Sequence, residues 1–224
     1  MRNALPPSAL ALALGLAVTG CALLPPAPTS DERARDAARR LQGAPSDSAR
    51  YAVAVNLFTA AGLTPLAGER FTYRRLSPVV AGFVPGRTPG ERDTLVVVAG
   101  DLSGPSAGAV VEAARLLAET AARNEGPERT VLVALWGATG SPQEGLADVL
   151  AFPLWPAGAV RGVLVVGGLP GREGPAPPEA PPLSVSPDGV APAVLVDQAL
   201  ALAARPVRAG AVSGDSAQAH SPPF

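Results

Sequence analysis

The chain contains no lysine and no isoleucine, one cysteine, one histidine, and few aromatics, which make up 4% of its 224 residues. Each scarcity excludes something. One cysteine cannot close an internal disulfide or supply the thiolates of a structural zinc cage. One histidine, His220, cannot furnish the imidazoles of a multi-histidine metal centre. All 18 basic residues are arginine, and they stand against 19 acids for a formal net charge of -1. No dense basic run occurs, so there is no footprint for nucleic acid. The missing Lys and Ile, beside abundant Ala, Gly and Pro, read as the codon bias of a GC-rich genome, which makes alanine a weaker helix signal than usual. What is present suffices for a core: 47% of residues are hydrophobic and only 17% charged, which argues against a wholly disordered chain.

The first thirty residues read as targeting and tether. Arg2 precedes an apolar run over residues 9–18, shorter than the roughly 20 residues that span a bilayer and placed as a secretory signal. It ends in Val18-Thr19-Gly20-Cys21, a lipobox pattern, and the chain's only cysteine occupies the position such a motif requires. The expectation is that residues 1–20 are a signal peptide and that Cys21 becomes the acylated N-terminus. At about 0.8 kcal/mol per buried methylene, such an anchor is effectively permanent. Residues 21–30, with three prolines after Leu23, form a tether. Ala22, rather than Asp, follows the cysteine, which points to outer-membrane sorting in a Gram-negative envelope. The expected location is the cell envelope, lipid-anchored and facing the periplasm or the exterior. Residues 31–224 form the folded domain.

Within it, residues 31–41 predict a helix with Ser30 as N-cap, and residues 49–61 predict a second that stops at Gly62. Residues 71–76 and 79–84 alternate as strands, followed by a Pro-Gly turn over residues 85–90. Residues 94–99 are a continuous apolar run suited to a strand buried on both faces. An amphipathic helix is expected over Ala107–Ala122 with Glu112 and Arg115 outward, a strand over Thr130–Trp136, a short helix over residues 146–152, and a strand over Val160–Val166. Residues 170–187 read as a Pro-rich loop, residues 193–204 as a strand turning into a helix, and residues 206–212 as a last strand. Strands alternating with helices imply an α/β, three-layer sandwich with a mixed, mostly parallel central sheet flanked by helices.

The chain carries Ala37-Ala38-Arg39-Arg40-Leu41-Gln42-Gly43, then Ala60-Ala61-Gly62-Leu63-Thr64-Pro65, and then Gly82-Phe83-Val84-Pro85-Gly86 ahead of Asp93-Thr94-Leu95-Val96-Val97-Val98. Thr130 through Trp136-Gly137-Ala138, and Gly145-Leu146 through Pro153-Leu154-Trp155-Pro156, follow. In this order these stretches resemble the secreted two-zinc aminopeptidases, a family with transferrin-receptor-like non-catalytic relatives. The resemblance covers most of residues 31–166. It implies that the domain is incomplete at its C-terminus, lacking a further strand and helix.

The resemblance also implies a site, and there the sequence departs from it. Two zinc ions about 3.5–4 Å apart need carboxylate and imidazole ligands, a bridging carboxylate and a Glu base. Where the family has His-x-Asp, this chain has Asp101-Leu102-Ser103. Gly104-Pro105-Ser106-Ala107-Gly108 replaces the loop with the bridging Asp. Thr139-Gly140 stands for the Glu-Glu pair, with Glu144 beyond it, and Leu164-Val165-Val166 stands for Asn-Leu-Asp. Asp101, Ser103, Thr139, Gly140 and Val165 are therefore degenerate ligand positions, and Asp101 and His220 are the remaining metal candidates. No cofactor is expected, with zinc the requirement if the family chemistry persists.

Gly104-Pro105-Ser106-Ala107-Gly108 also fits Gly-x-Ser-x-Gly. A serine hydrolase using Ser106, an Asp among Asp188, Asp197 and Asp215, and His220 is the other enzymatic alternative. Otherwise Ser106 caps the following helix, Asp101 caps a turn, and Trp136 and Trp155 are core or rim aromatics. The preferred expectation is a lipid-anchored, non-catalytic aminopeptidase-like domain. Its partners are the membrane, through the anchor, and a peptide or envelope protein, gripped by Trp155 and the loop over residues 170–187. No nucleic acid is expected.

Overall fold

The computed structural model describes residues 26–66, 70–74, 78–89, 95–136, 159–167 and 183–205. Helix α1 is Ser30–Gln42. Its N-cap is Thr29 rather than the expected Ser30. The Thr29 Oγ accepts from the Glu32 N–H at 3.3 Å, and the Glu32 carboxylate accepts from the Thr29 N–H at 2.7 Å. This reciprocal box satisfies two donors that a helix start otherwise leaves open. Helix α2 is Asp47–Ala60, capped by Ser46, and the chain leaves it through Gly62 at φ +76°, as the sequence predicts.

Strands β1 (Thr64–Pro65), β2 (Thr72–Arg74) and β3 (Pro78–Val84) follow, then β4 (Leu95–Asp101), helix α3 (Ala107–Ala122), β5 (Thr130–Trp136) and β6 (Val160–Val166). Part of the expected Pro-rich loop is strand β7 (Leu183–Ser186), paired parallel to β6; its four residues are too few for alternation to stand out beside so many prolines. Residues expected to begin as strand belong wholly to helix α4 (Pro192–Ala204), which opens with proline in its first turn, where a preset φ favours helix. Arg129, 4% exposed, donates to the carbonyls of Ala203 and Arg205 and so closes the far end of α4. The expected helix over residues 146–152 and strand over residues 206–212 lie outside the described residues.

The sheet is mixed, as expected, with the order β1-β3-β5-β4-β6-β7 and β2 on the flank of β3. Strands β5, β4, β6 and β7 run parallel, while β3 is antiparallel to β5, and β1 and β2 are antiparallel to β3. Alternation along the strands divides the core. Val80, Val84, Val98, Val133, Leu135 and Leu164 join the four helices in the larger cluster. Val79, Ala99, Leu132, Ala134, Trp136 and Val165 form a second cluster, which among the described residues contains strand positions and no helix.

Helix α3 lies between the sheet and α1. The two helices touch backbone to backbone at Gly108, where a Cβ would sit 2.1 Å from the Ala34 carbonyl oxygen and 2.8 Å from the Ala38 nitrogen. Alanines at 34, 37, 38 and 107 keep the rest of this interface thin.

Candidate functional site

The carboxyl ends of β5, β4, β6 and β7 lie along one edge. From β4 the chain crosses through α3 to β5 on one side, while β6 lies on the other side of β4. In open parallel sheets, ligands bind outside the carboxyl ends at such a switch point. The residues there are Asp101 at the end of β4, Ser103 after it, Ser106 at the start of α3, Gly167 after β6, and Asp188 after β7.

Asp101 ends β4, and one carboxylate oxygen accepts both the N–H and the hydroxyl of Ser103, at 2.8 and 2.7 Å. This is the turn-capping role expected for Asp101. Ser106 is 2% exposed and has helical dihedrals, φ -75° and ψ -17°, with no side-chain cap bond. Its hydroxyl instead donates to the Val166 carbonyl at 3.3 Å, tying the start of α3 to the end of β6 across the switch point. A serine poised for attack sits exposed on a strained strand-to-helix turn. Ser106 is buried, unstrained and engaged with a carbonyl.

Gly167 fixes the spacing of this cluster. Its φ is +94°, and a Cβ there would lie 2.6 Å from the Ser106 Oγ and 2.8 Å from an Asp188 carboxylate oxygen. Both oxygens thus crowd one glycine. Asp188 is exposed in a turn, and Asp197 is exposed on α4. We predict that Gly167→Ala lowers the unfolding free energy by about 1–3 kcal/mol, since it combines a left-handed backbone with overpacking. A urea melt checks this, and an unchanged midpoint would contradict the crowding.

Val165 is buried within the apolar cluster and offers no donor atom. Thr139, Gly140, Glu144, Trp155, Asp215, His220 and Cys21 lie outside the described residues. Among the described residues no three His, Cys, Asp or Glu side chains gather closely enough to hold a metal ion. Tested as zinc ligands, the edge residues do not fit. Asp101 shares its oxygen with two Ser103 donors, Ser103 and Ser106 present neutral hydroxyls, and β6 ends in valines.

Two features escaped the sequence reading. Trp136, register partner of Asp101, is 1% exposed, and its indole N–H is buried with no partner among the described residues. Such an orphan donor costs about 1–3 kcal/mol. The second is Glu112, expected to face outward but 3% exposed. Helix α1 covers it. Arg115 binds it through two nitrogens at 2.8 and 2.7 Å, Arg33 at 2.9 Å and the Ser30 hydroxyl at 3.0 Å. Burial pushes its carboxyl up, but the hydrogen bonds from Arg115, Arg33 and Ser30 prevail and hold it below its ordinary value. Helical periodicity could not reveal this, because the covering arginine is 79 residues away.

No family model matches the chain, and no curated protein matches it. Solved structures similar to it include a glutaminyl cyclase from Porphyromonas gingivalis, at 10% identity and TM-score 0.46, over 78% of this chain and 82% of that one. Another, described as a Zn-dependent exopeptidase from Bacteroides vulgatus, has 12% identity and TM-score 0.42, over 62% of this chain and 60% of the other. LapB from Legionella pneumophila has 15% identity and TM-score 0.39, over 59% and 42%. The chain thus spans less than two thirds of the latter two. Each is a likeness in chain path at low identity.

Proposed function

We propose that this chain is a lipid-anchored, non-catalytic domain built on an aminopeptidase-like scaffold, holding a peptide or an envelope protein near the membrane. The supporting observation is the state of the carboxyl edge. Asp101 is spent on Ser103, Ser106 on the Val166 carbonyl, and Val165 contributes only bulk. The zinc and serine routes need a metal-activated water or an activated hydroxyl, and these side chains are arranged for neither. What the edge retains is a binding position at a switch point. Anchoring rests on the lipobox ending in Cys21.

The expected result is no hydrolysis of aminoacyl or ester substrates by the purified chain with zinc supplied, no effect of a chelator, and no labelling by a fluorophosphonate. Chelator-sensitive release of an N-terminal residue would overturn the non-catalytic reading, as would fluorophosphonate labelling abolished by Ser106→Ala. Mass spectrometry of the membrane-extracted protein tests the anchor independently, with acylated Cys21 as the expected N-terminus.

A further inference from the structure

Away from the sheet edge, α1, the end of α2 and one face of α3 enclose an open groove of about 640 Å³. Its floor includes Leu57 and Val111, and its walls carry Arg33, Arg35, Arg39, Arg40 and Arg115. Three acids share the lining, and all are engaged. Glu112 is bound by Arg33 and Arg115, and the Glu32 carboxylate accepts from Thr29 in the capping box. Asp36 pairs with Arg39 at 3.1 Å, with both side chains well exposed, a kind of pair that holds weakly in water. Arg35 donates to a helix carbonyl, that of Asp31. Arg40 is exposed and forms no ion pair or hydrogen bond among the described residues. The lining therefore has five guanidinium groups against three carboxylates, with Glu119 just outside it on Arg115; Arg40 is unengaged among the described residues, and Arg35 and Arg39 hold only exposed contacts that an anion can displace.

The place of this groove in the chain says which anion it meets. Pro28 lines it, and it stands seven positions after Cys21. Seven extended residues reach about 25 Å at most. An acylated Cys21 would hold the groove within that distance of the bilayer surface. Guanidinium forks match phosphate oxygens in pairs. We propose that the groove receives the phosphate of an anionic glycerophospholipid headgroup in the membrane to which the chain is tethered. This rests on the anchoring part of the reading above.

The test uses the full chain with Cys21→Ser, so that no acyl group contributes. It is offered to vesicles of phosphatidylcholine alone and to vesicles of equal phosphatidylcholine and phosphatidylglycerol. The apolar segment over residues 9–18 adds to both, so the readout is the ratio of the two partition constants. The ratio is expected to be about tenfold, to collapse in about 0.5 M NaCl, and to fall to within about twofold in Arg35→Gln/Arg39→Gln/Arg40→Gln. Arg40→Glu alone, a change at an exposed unpaired side chain, should lower the ratio several-fold and serves if the triple variant fails to fold. Equal partition into the two vesicles, or a ratio unmoved by these variants, would overturn the proposal. Equal partition together with calorimetric binding of inorganic phosphate lost in the triple variant would assign the groove to free phosphate instead, and also overturn it. If Cys21 proves unacylated, the anchoring reading fails while this ratio stands.

Discussion

Gly108→Ala is expected to lower the unfolding free energy by about 3 kcal/mol or more. Inserting a methyl into a packed interface usually costs about 1–3 kcal/mol, because side chains can shift aside. Here the nearest atoms are the Ala34 carbonyl oxygen at 2.1 Å and the Ala38 nitrogen at 2.8 Å, both backbone. Relief requires moving one helix away from the other, which would loosen the Glu112 contacts at the same interface. For a chain of this size the loss corresponds to roughly 6–12 °C in melting temperature. Ala38→Gly in the same background should restore little, since the tightest contact is to the Ala34 carbonyl. A thermal melt within about 2 °C of the parent would mean that α1 and α3 do not meet at Gly108.

Removing the buried carboxylate is the second large effect. Glu112→Ala should cost about 2–4 kcal/mol, toward the lower end of what breaking a buried ion pair costs. It leaves Arg33 without its carboxylate and Arg115 with only Glu119, but these side chains are 34% and 22% exposed and regain some hydration. Glu112→Gln keeps the volume and should cost less. The pH dependence gives a separate readout. The folded carboxyl titrates below its ordinary value of 4.5, so the unfolded chain binds the proton more readily. The stabilisation is fully present above about pH 4.5 and is lost as pH falls through the folded pKa. In Glu112→Gln the acid limb of a stability–pH profile should flatten. An identical acid limb in parent and variant would show that the clamp contributes nothing.

Much of the fold is legible in the sequence, because local pattern and tertiary role agree there. Ala107–Ala122, Thr130–Trp136 and Val160–Val166 are found as expected, each a long periodic or continuous apolar run. What was illegible depends on partners distant in sequence. The reach of Arg33 and Ser30 to Glu112 links residues 79 and 82 apart, so a helix position that looks solvated becomes a buried clamp. Strand β7 is defined by its pairing with β6, and its four residues carry too little pattern to show. Of the site, Asp101 behaves as its sequence suggests, capping a turn. Ser106 stands at the N-cap position of α3, as expected, but its hydroxyl makes no cap bond and goes to Val166 instead, a partner that only the crossover topology brings near. The orphaned Trp136 indole is likewise a consequence of burial.

The most direct test is calorimetric titration of zinc into the chelator-treated full chain at neutral pH. The carboxyl edge is expected to give no saturable uptake at micromolar zinc, and Asp101→Asn should leave the trace unchanged. Two equivalents of tightly bound zinc, reduced by Asp101→Asn and accompanied by peptide cleavage, would contradict the account.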